Sequence, residues 1–160
     1  MASRLLSDLE PGLEQKARRF LHECMLKGIP VHVTCTGRSE KEQQALYAQG
    51  REPLDAVNAK RKAVGLWMLR EEENKRPVTW TLESRHIIHF DPETGNALNR
   101  ARAFDVAIVK DKQFVWDLKA DVNEDGIPDY EEIGMIGEAC GLVWGGRWDK
   151  PDRPHFQDVD

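Results

Sequence analysis

Two histidines and two carboxylates, spread over three short segments, carry the chemistry that this sequence offers. The segments are Ser84-Arg-His86, Ala103-Phe-Asp105 and the end of the run Trp144–Gln157, which contains Asp152-Arg-Pro-His155. Two imidazoles and one carboxylate form a ligand set that suits zinc and leaves one coordination position open for water. Asp152 adds a spare acid–base group three residues before the last histidine. These residues predict the minimum equipment of a zinc hydrolase.

The composition is typical of one globular domain that spans residues 1–160. The chain has 32% charged and 40% hydrophobic residues, and its length suits one hydrophobic core. The net charge of -5 argues against binding to a nucleic-acid backbone. We therefore expect a monomeric domain that binds no nucleic acid.

The sequence predicts neither membrane insertion nor secretion by a signal peptide. No apolar run approaches the about 20 residues needed to cross a bilayer, and the N-terminal residues lack a long apolar core. We expect synthesis in the cytoplasm, with another factor releasing the protein if its substrate lies outside the inner membrane. The three dispersed cysteines, Cys24, Cys35 and Cys140, are interpreted as buried structural thiols.

Apolar periodicity predicts helices over residues 13–25 and 130–140. Ser39 and Glu42 form a capping-box pattern, which predicts a helix that continues to about Gln49. Asp55 is a candidate cap for a further helix that should stop before Pro77. The apolar residues expected on that helix are Val57, Val64, Trp67 and Met68.

Runs rich in β-branched and aromatic residues predict short strands between these helices. The expected strands are residues 31–36, 78–82, 103–109, 113–116, 142–144 and 155–157. Turn-forming residues between Ile87 and Arg102 predict a long loop or an irregular hairpin there. The order of the elements indicates an α+β class, with helices packed on a small, mostly antiparallel sheet.

Several ordered blocks resemble the M15 metallopeptidases. Besides the histidine and aspartate segments, Thr36-Gly-Arg38-Ser-Glu-Lys-Glu-Gln43 is similar to the family's Arg-Ser-x-x-x-Gln block, and Gly145-Gly-Arg-Trp148 to its Gly-Gly-x-Trp block. The family includes D-alanyl-D-alanine carboxypeptidases and the L-alanyl-D-glutamate endopeptidases of phage endolysins. The resemblance implies the M15 or Hedgehog-like zinc peptidase fold.

The resemblance also implies a role for each matching residue. His86, Asp105 and His155 would bind zinc, and Asp152 would act as general base and acid. Arg38 would hold a substrate carboxylate or the developing oxyanion. Gln43 and Ser84 would form hydrogen bonds with the peptide. His89 is a rival ligand at helical spacing from His86, but the turn signals that follow argue against a helix.

One departure from the family lies between the first two ligands. A short Ser-x-His-x-x-Gly-x-Ala-x-Asp motif is usual, whereas residues 87–104 separate His86 from Asp105 here, and Ala101 replaces the glycine. An insertion of about 12 residues is tolerable within a loop, because the entropy of closing a loop rises slowly with its length. The site therefore requires the insert to project outward.

A second metal-binding pattern precedes the last helix. The segment from Asp121 to Glu132 matches the EF-hand calcium loop, with Gly126 at its sharp turn. The predicted calcium ligands are Asp121, Asn123, Asp125, the Ile127 carbonyl, Asp129 and Glu132. The strand-like residues 113–116 leave no room for a preceding EF helix, so we expect a single unpaired loop.

The residues and the resemblance together predict a zinc peptidase that acts on peptidoglycan stem peptides. An endolysin that cuts the L-alanyl-D-glutamate bond is favoured, made in the host cytoplasm and acting on the cell wall after release. A D-alanyl-D-alanine carboxypeptidase with the same metal site is the near alternative. A calcium-binding wall module with a degenerate peptidase site is the alternative from a different class.

Overall fold

The computed structural model describes residues 2–159 as helices packed on one sheet. The helices are α1 (Pro11–Leu26), α2 (Glu40–Ala48), α3 (Leu54–Ala63) and α4 (Asp129–Ala139). The strands are β1 (Val31–Cys35), β2 (Ala103–Lys110), β3 (Gln113–Val115), β4 (Val143–Trp144) and β5 (His155–Gln157). The architecture confirms the expected α+β class.

β2 is the central strand, because it pairs antiparallel with β1, β3 and β5. β4 pairs antiparallel with β5, so the strand order is β1-β2-β5-β4, with β3 paired to the far end of β2. Asp111 and Lys112, with φ of 51° and 64°, form the tight turn between β2 and β3. Positive φ at both residues is what a two-residue type I′ hairpin requires.

The core lies between α1 and the sheet. Leu13, Ala17 and Phe20 recur at helical spacing and are fully buried. The Phe20 ring packs against Phe104 of β2 and Phe156 of β5, with centroids 5.9 and 4.6 Å apart. Cys24 and Cys140 are buried in the same core, as the sequence predicted.

α4 approaches the sheet closely because two glycines face it. A Cβ atom added at Gly134 would overlap the Trp144 indole, and one at Gly137 would overlap the Phe156 ring. Both aromatic rings belong to the strands that end the sheet, β4 and β5. Glycine in α4 therefore fixes the distance between this helix and the C-terminal strands.

The start of α2 follows its sequence signal. Ser39 is the N-cap residue, and its hydroxyl accepts a hydrogen bond from the Glu42 N–H at 3.2 Å. This bond satisfies one of the free N–H groups of the first helical turn. The helix then carries Gln43 on its buried side.

The helix predicted around Asp55 differs from the structure at its start. α3 begins at Leu54, directly after Pro53, and Asp55 lies inside the first turn. Asp55 therefore does not cap the helix. A negative charge in the first turn still interacts favourably with the helix dipole.

The same helix is also shorter than predicted, so Val64, Trp67 and Met68 lie beyond its end at Ala63. The chain turns at Gly65, which has a φ of 75°. The buried Arg61 then holds the following segment: its Nε donates to the Trp67 carbonyl at 2.7 Å, and its guanidinium lies over the Trp67 ring. The contact between Arg61 and Trp67 therefore holds this segment in place of the helical turns that were predicted.

The strand predicted over residues 78–82 is wrong. This segment is irregular, and its apolar residues Val78, Trp80 and Leu82 are exposed. It is held by a side chain rather than by a β-ladder, because Gln43 Nε2 donates to the Thr81 carbonyl at 2.7 Å. Instead of a strand, this segment forms one wall of a surface groove.

The insert forms the irregular hairpin that its turn residues predict. Phe90 and Ala97 form an isolated antiparallel bridge, and the Asp91 N–H donates to the Asn96 carbonyl at 2.8 Å. Gly95 turns the chain with a φ of 72°. Phe90 and Leu98 are exposed, so the hairpin lies on the surface.

Within residues 2–159, none of the helices combines the length and the apolar character that a membrane span requires.

The contact between Gly134 and Trp144 predicts an unusual response to alanine. Gly134→Ala should destabilise the protein by about 1–3 kcal/mol through overpacking, although alanine normally stabilises a helix interior relative to glycine. Urea denaturation would measure the change. Gly12→Ala in α1 is the matched control, because no atom beyond its chain neighbours and the nearby backbone of its own helix lies within 4 Å of the added Cβ. Equal or greater stability of Gly134→Ala would contradict the close packing of α4.

Candidate metal centre

Strand register places Asp105 between two other polar side chains. Asp105 on β2 is paired with Cys35 on β1 and with His155 on β5. Directly paired residues on adjacent strands present their side chains on the same face, a few ångströms apart. An irregularity between Val33 and Cys35 adjusts the register at the end of β1. The register of β2 against β5 therefore brings the Asp105 and His155 side chains together.

His86 enters from the loop that precedes the insert. The Arg38 N–H donates to the His86 carbonyl at 2.8 Å, and the Ile88 N–H donates to the Arg38 carbonyl at 2.9 Å. The two ends of the insert are joined by a further bond, from the Arg102 N–H to the Arg85 carbonyl at 2.8 Å. The chain thus leaves and returns at one place, which brings His86 beside Asp105 despite the insert.

The three donor atoms have the spacing of a tetrahedral zinc site. His86 Nε2 lies 3.3 Å from His155 Nδ1 and 3.3 Å from Asp105 Oδ1. His155 Nδ1 lies 3.0 Å from the same Asp105 oxygen. Tetrahedral ligands at bond lengths of about 2.0–2.1 Å are separated by about 3.3–3.4 Å. The residues present therefore fit a zinc ion with three protein ligands.

Outer hydrogen bonds orient both imidazoles toward that position. His86 Nδ1 lies 2.8 Å from the Thr36 carbonyl oxygen, which assigns the proton to Nδ1 and leaves a lone pair on Nε2. His155 Nε2 lies 3.0 Å from Gln157 Oε1, so Nε2–H donates and Nδ1 keeps its lone pair. Such outer partners typically fix the tautomer and ring orientation of metal-binding histidines.

The electrostatics of the centre favour a cation. Burial opposes a proton on His86, but the adjacent Asp105 carboxylate outweighs it and raises the pKa of His86 above its ordinary value. Desolvation would raise the pKa of Asp105, yet His86 and His155 hold it well below its usual range. Asp105 therefore stays ionised beside two imidazoles, as a metal ligand must.

Arg38 is the third side chain that contacts the Asp105 carboxylate, after the two histidines. Its Nη2 lies 3.4 Å from Asp105 Oδ2, the oxygen other than the one facing the histidines. Its Nη1 donates to Gln43 Oε1 at 3.1 Å. The guanidinium lines the groove in front of the metal centre. It is placed to meet an anionic group of a ligand.

Gln43 occupies a different position from the one expected of a substrate-binding residue. It is 1% exposed, and its amide nitrogen bonds to the Thr81 carbonyl and to Thr79 Oγ1. Its oxygen accepts from Arg38. With its polar atoms engaged in this way, Gln43 positions Arg38 and residues 79–81 of the groove wall.

Ser84 lies at the groove and supports His86. Its hydroxyl accepts a hydrogen bond from the His86 N–H at 3.2 Å. The same residue lines the groove, so it remains placed to contact a ligand. His89, the rival ligand, points elsewhere: its Nδ1 lies 3.7 Å from Glu40 on the protein surface.

Cys35 is a neighbour of the metal centre that the sequence analysis missed. Its sulfur lies 3.7 Å from His86 Nδ1 and accepts from Arg38 Nη2 at 3.3 Å. Cys35, His86 and Asp105 each place a potential ligand atom within 4.8 Å of the others. The thiol is buried, as predicted, but its surroundings are polar. Only the register of β1 against β2 brings it here.

Asp152 lies beside the metal centre at the rim of the groove. One of its oxygens lies within 4.8 Å of ligand atoms of Asp105 and His155. Partial desolvation and repulsion from Asp105 raise the pKa of Asp152, against the opposing effect of His155. A carboxyl with a raised pKa, next to the position of a metal, is suited to accept and return a proton.

The glycines at 145 and 146, before Trp148, allow the backbone of Asp152 to pack closely against residue 145. A Cβ at Gly145 would collide with the Asp152 carbonyl oxygen, and the Asp152 N–H donates to the Gly145 carbonyl at 2.9 Å. A Cβ at Gly146 would overlap the buried Trp144 indole. The Gly-Gly-x-Trp block therefore holds the segment that carries the acid–base candidate.

A groove of about 660 Å³ opens in front of these residues. Residues 78–81 form one wall, and residues 148–152 form the other. The lining carries both charges: Arg38, Arg85 and Lys150 are positive, and Glu83, Asp105, Asp149 and Asp152 are negative. The groove therefore offers both cationic and anionic groups to a polar ligand in front of the three donor atoms.

The predicted calcium ligands lie between β3 and the first turn of α4, where Asn123 Nδ2 is 3.2 Å from Asp125 Oδ2 and 3.4 Å from Glu132 Oε2. None of the side chains of residues 121–132 lines the groove. This cluster therefore contributes no ligand to the centre formed by His86, Asp105 and His155.

Comparison with known proteins agrees with this geometry. Residues 98–158 match an M15 peptidase family model described as D-alanyl-D-alanine carboxypeptidase. The chain is 31% identical over 155 residues to the peptidoglycan L-alanyl-D-glutamate endopeptidase CwlK of Bacillus subtilis (strain 168), covering 94% of this chain and 74% of the relative.

The fold is also similar to that of a solved structure. The crystal structure of the Serratia marcescens L-Ala D-Glu endopeptidase ChiX matches with a TM-score of 0.56 and 20% identity. The match covers 99% of this chain and 89% of the other. The relative in Bacillus subtilis shares enough identity, over enough of both chains, to establish the family. The chain belongs to the M15 family of metallopeptidases.

Proposed function

We propose that the described residues form one catalytic domain, a zinc-dependent peptidoglycan peptidase that hydrolyses the L-alanyl-D-glutamate bond of stem peptides. The observation that carries the proposal is the set of three donor atoms, 3.0–3.3 Å apart, formed by His86, Asp105 and His155. The Bacillus and Serratia proteins are L-alanyl-D-glutamate endopeptidases, and this supports the choice of bond.

In this proposal the chain's own residues move the proton. Zinc would supply Lewis-acid chemistry, which lowers the pKa of a water molecule and polarises the peptide carbonyl. Asp152 takes the proton from the attacking water and delivers it to the amine as the C–N bond breaks. The hydroxyl joins the carbonyl carbon, and the proton of the new carboxyl group passes to the released amine, so the products are a carboxylate and an ammonium group.

Arg38 has two tasks that its position supports. Its guanidinium is fixed by Gln43 and by Asp105, so its orientation is set before a substrate binds. A planar guanidinium can hold a carboxylate of the stem peptide or stabilise negative charge on the carbonyl oxygen. Arg85 and Lys150 also line the groove, which carries carboxylates as well, so the selectivity for a peptide carboxylate depends on Arg38.

The D-alanyl-D-alanine carboxypeptidase activity is the second candidate, because the family model carries that description. An endolysin role, with release from the host cytoplasm onto the wall, and a monomeric state stay predictions of the sequence.

Metal analysis combined with activity would test the roles of His155 and Asp152. Wild-type protein should hold about one zinc per chain, and His155→Ala should lose both the metal and activity. Asp152→Asn should retain the metal while the rate of peptidoglycan hydrolysis falls by about 10²–10⁴-fold, since only the proton carrier is removed.

His89→Ala is the matched control, because His89 lies on the surface beside Glu40. It should keep full zinc content and activity. Zinc retained at wild-type affinity in His155→Ala would show that the metal site is elsewhere, and an active Asp152→Asn would remove Asp152 from the mechanism.

Gln157 provides a test of the outer hydrogen bonds. Gln157→Leu removes the acceptor for His155 Nε2–H, and zinc affinity should fall by about 10–100-fold. Gln157→Glu keeps an acceptor and should bind zinc at least as tightly as wild type. Competition with a chromogenic zinc chelator would measure both affinities, and equal affinity of Gln157→Leu and wild type would exclude the orienting role.

Mass spectrometry of digested peptidoglycan would identify the bond. The proposed activity should release peptides with a new N-terminal D-glutamate and leave L-alanine on the muramic acid. Release of free D-alanine alone would instead establish the carboxypeptidase. Asp152→Asn protein, treated in the same way, controls for contaminating hydrolases.

A further inference from the structure

The segment before α4 is folded as a closed loop around a sharp turn. Both oxygens of Asp121 accept backbone hydrogen bonds, from the Asp125 N–H at 3.1 Å and the Gly126 N–H at 2.8 Å. Asp125 Oδ1 accepts from the Ile127 N–H at 2.9 Å. Gly126 has a φ of 87°, which places it in the left-handed region that favours glycine.

Two buried oxygens of this loop lack a donor. Asp129 is 0% exposed; its Oδ2 accepts from the Val122 N–H at 2.8 Å, but its Oδ1 is without a hydrogen-bond partner. Asn123 Oδ1 is likewise buried and unpaired. A buried acceptor without a partner is costly, so each of these two oxygens calls for a cation or a water molecule as its partner.

The carboxylates around these oxygens repel one another. Asn123 Nδ2 lies 3.2 Å from Asp125 Oδ2 and 3.4 Å from Glu132 Oε2, so the two acids share one donor. A divalent cation would offset this repulsion.

We propose that the loop of residues 121–132 binds one calcium ion, separate from the zinc centre. Its ligands are Asp121, Asn123, Asp125, the Ile127 carbonyl, Asp129 and Glu132. All are oxygen donors with the one, three, five, seven, nine and twelve spacing of a calcium loop, and Glu132 can bind through both oxygens. An all-oxygen, flexible site favours calcium over zinc.

The loop differs from paired calcium sensors. Residues 116–120, between β3 and the loop, are not helical, and Pro128 has no N–H to offer to a second loop. The ion instead ties the loop to α4, because Glu132 lies in the first part of that helix. The neighbouring Glu131 pairs with Arg153 Nε at 2.9 Å, next to Asp152 in the chain. Calcium thereby stabilises the helix end that contacts the catalytic segment.

Titration of the zinc-loaded, full-length protein with calcium chloride would test the site by calorimetry and thermal unfolding. One calcium should bind per chain and raise Tm by about 5–10 °C at a concentration about 100-fold above Kd, with a much smaller effect of magnesium. The doubly substituted Asp125→Asn, Glu132→Gln protein should lose this response. Its metal-free form should be no less stable than wild type, because the substitutions relieve repulsion.

Glu124→Gln is the matched control, since it removes one charge from the same loop at an exposed position that is not a predicted ligand. It should bind calcium as wild type does. Absence of a calcium response in wild type at millimolar calcium, or an equal response in the doubly substituted protein, would overturn the site. Neither readout depends on hydrolysis, so the calcium site and the peptidase assignment can fail independently.

Discussion

The geometry of the candidate site depends on the contacts that the Asp105 carboxylate makes with its neighbours. One oxygen lies 3.0 Å from His155 and 3.3 Å from His86, and the other lies 3.4 Å from Arg38. A desolvated carboxylate is tolerated only with positive or donor partners around it. Those partners come from β5, from the loop before the insert and from the turn after β1. One charge therefore connects three segments that are distant in sequence.

Packing brings these segments to the carboxylate before any ligand does. The sheet register fixes Asp105 opposite His155, and the glycines of α4 let the helix press on Trp144 and Phe156 behind β5. Gly145 then admits the Asp152 segment. Small residues at these contacts set distances that larger side chains would increase. The supporting elements cannot separate without opening the core, so core packing holds the site together.

The sequence predicted the parts of the frame that depend on local signals. The Ser39 cap of α2 and the strands β2 and β3 follow from local cap and strand signals. The errors at α3 and at residues 78–82 occur where a buried side chain, Arg61 or Gln43, takes over backbone groups. Such long-range side-chain bonds leave no periodicity in the sequence.

The candidate site was predictable in its residue types but not in its distances. His86, Asp105, Asp152 and His155 were singled out, and the structure brings them together. Gln157 was missed, although residues two apart on a strand share a face, so its proximity to His155 could have been inferred. Cys35 could not, because its position depends on an irregularity in β1 and on the pairing with β2.

The way in which the insert is closed has a consequence for the design of variants. The bonds from Arg102 to Arg85 and from Ile88 to Arg38 lock the two ends of the insert, while Phe90 and Leu98 face outward. The length of the chain between those ends is therefore uncoupled from the positions of His86 and Asp105. The tip of the hairpin, between Phe90 and Leu98, is therefore the part of the insert where a change of length disturbs the three donor atoms least, because Asn99 ties His89 and Ile87 together at its base.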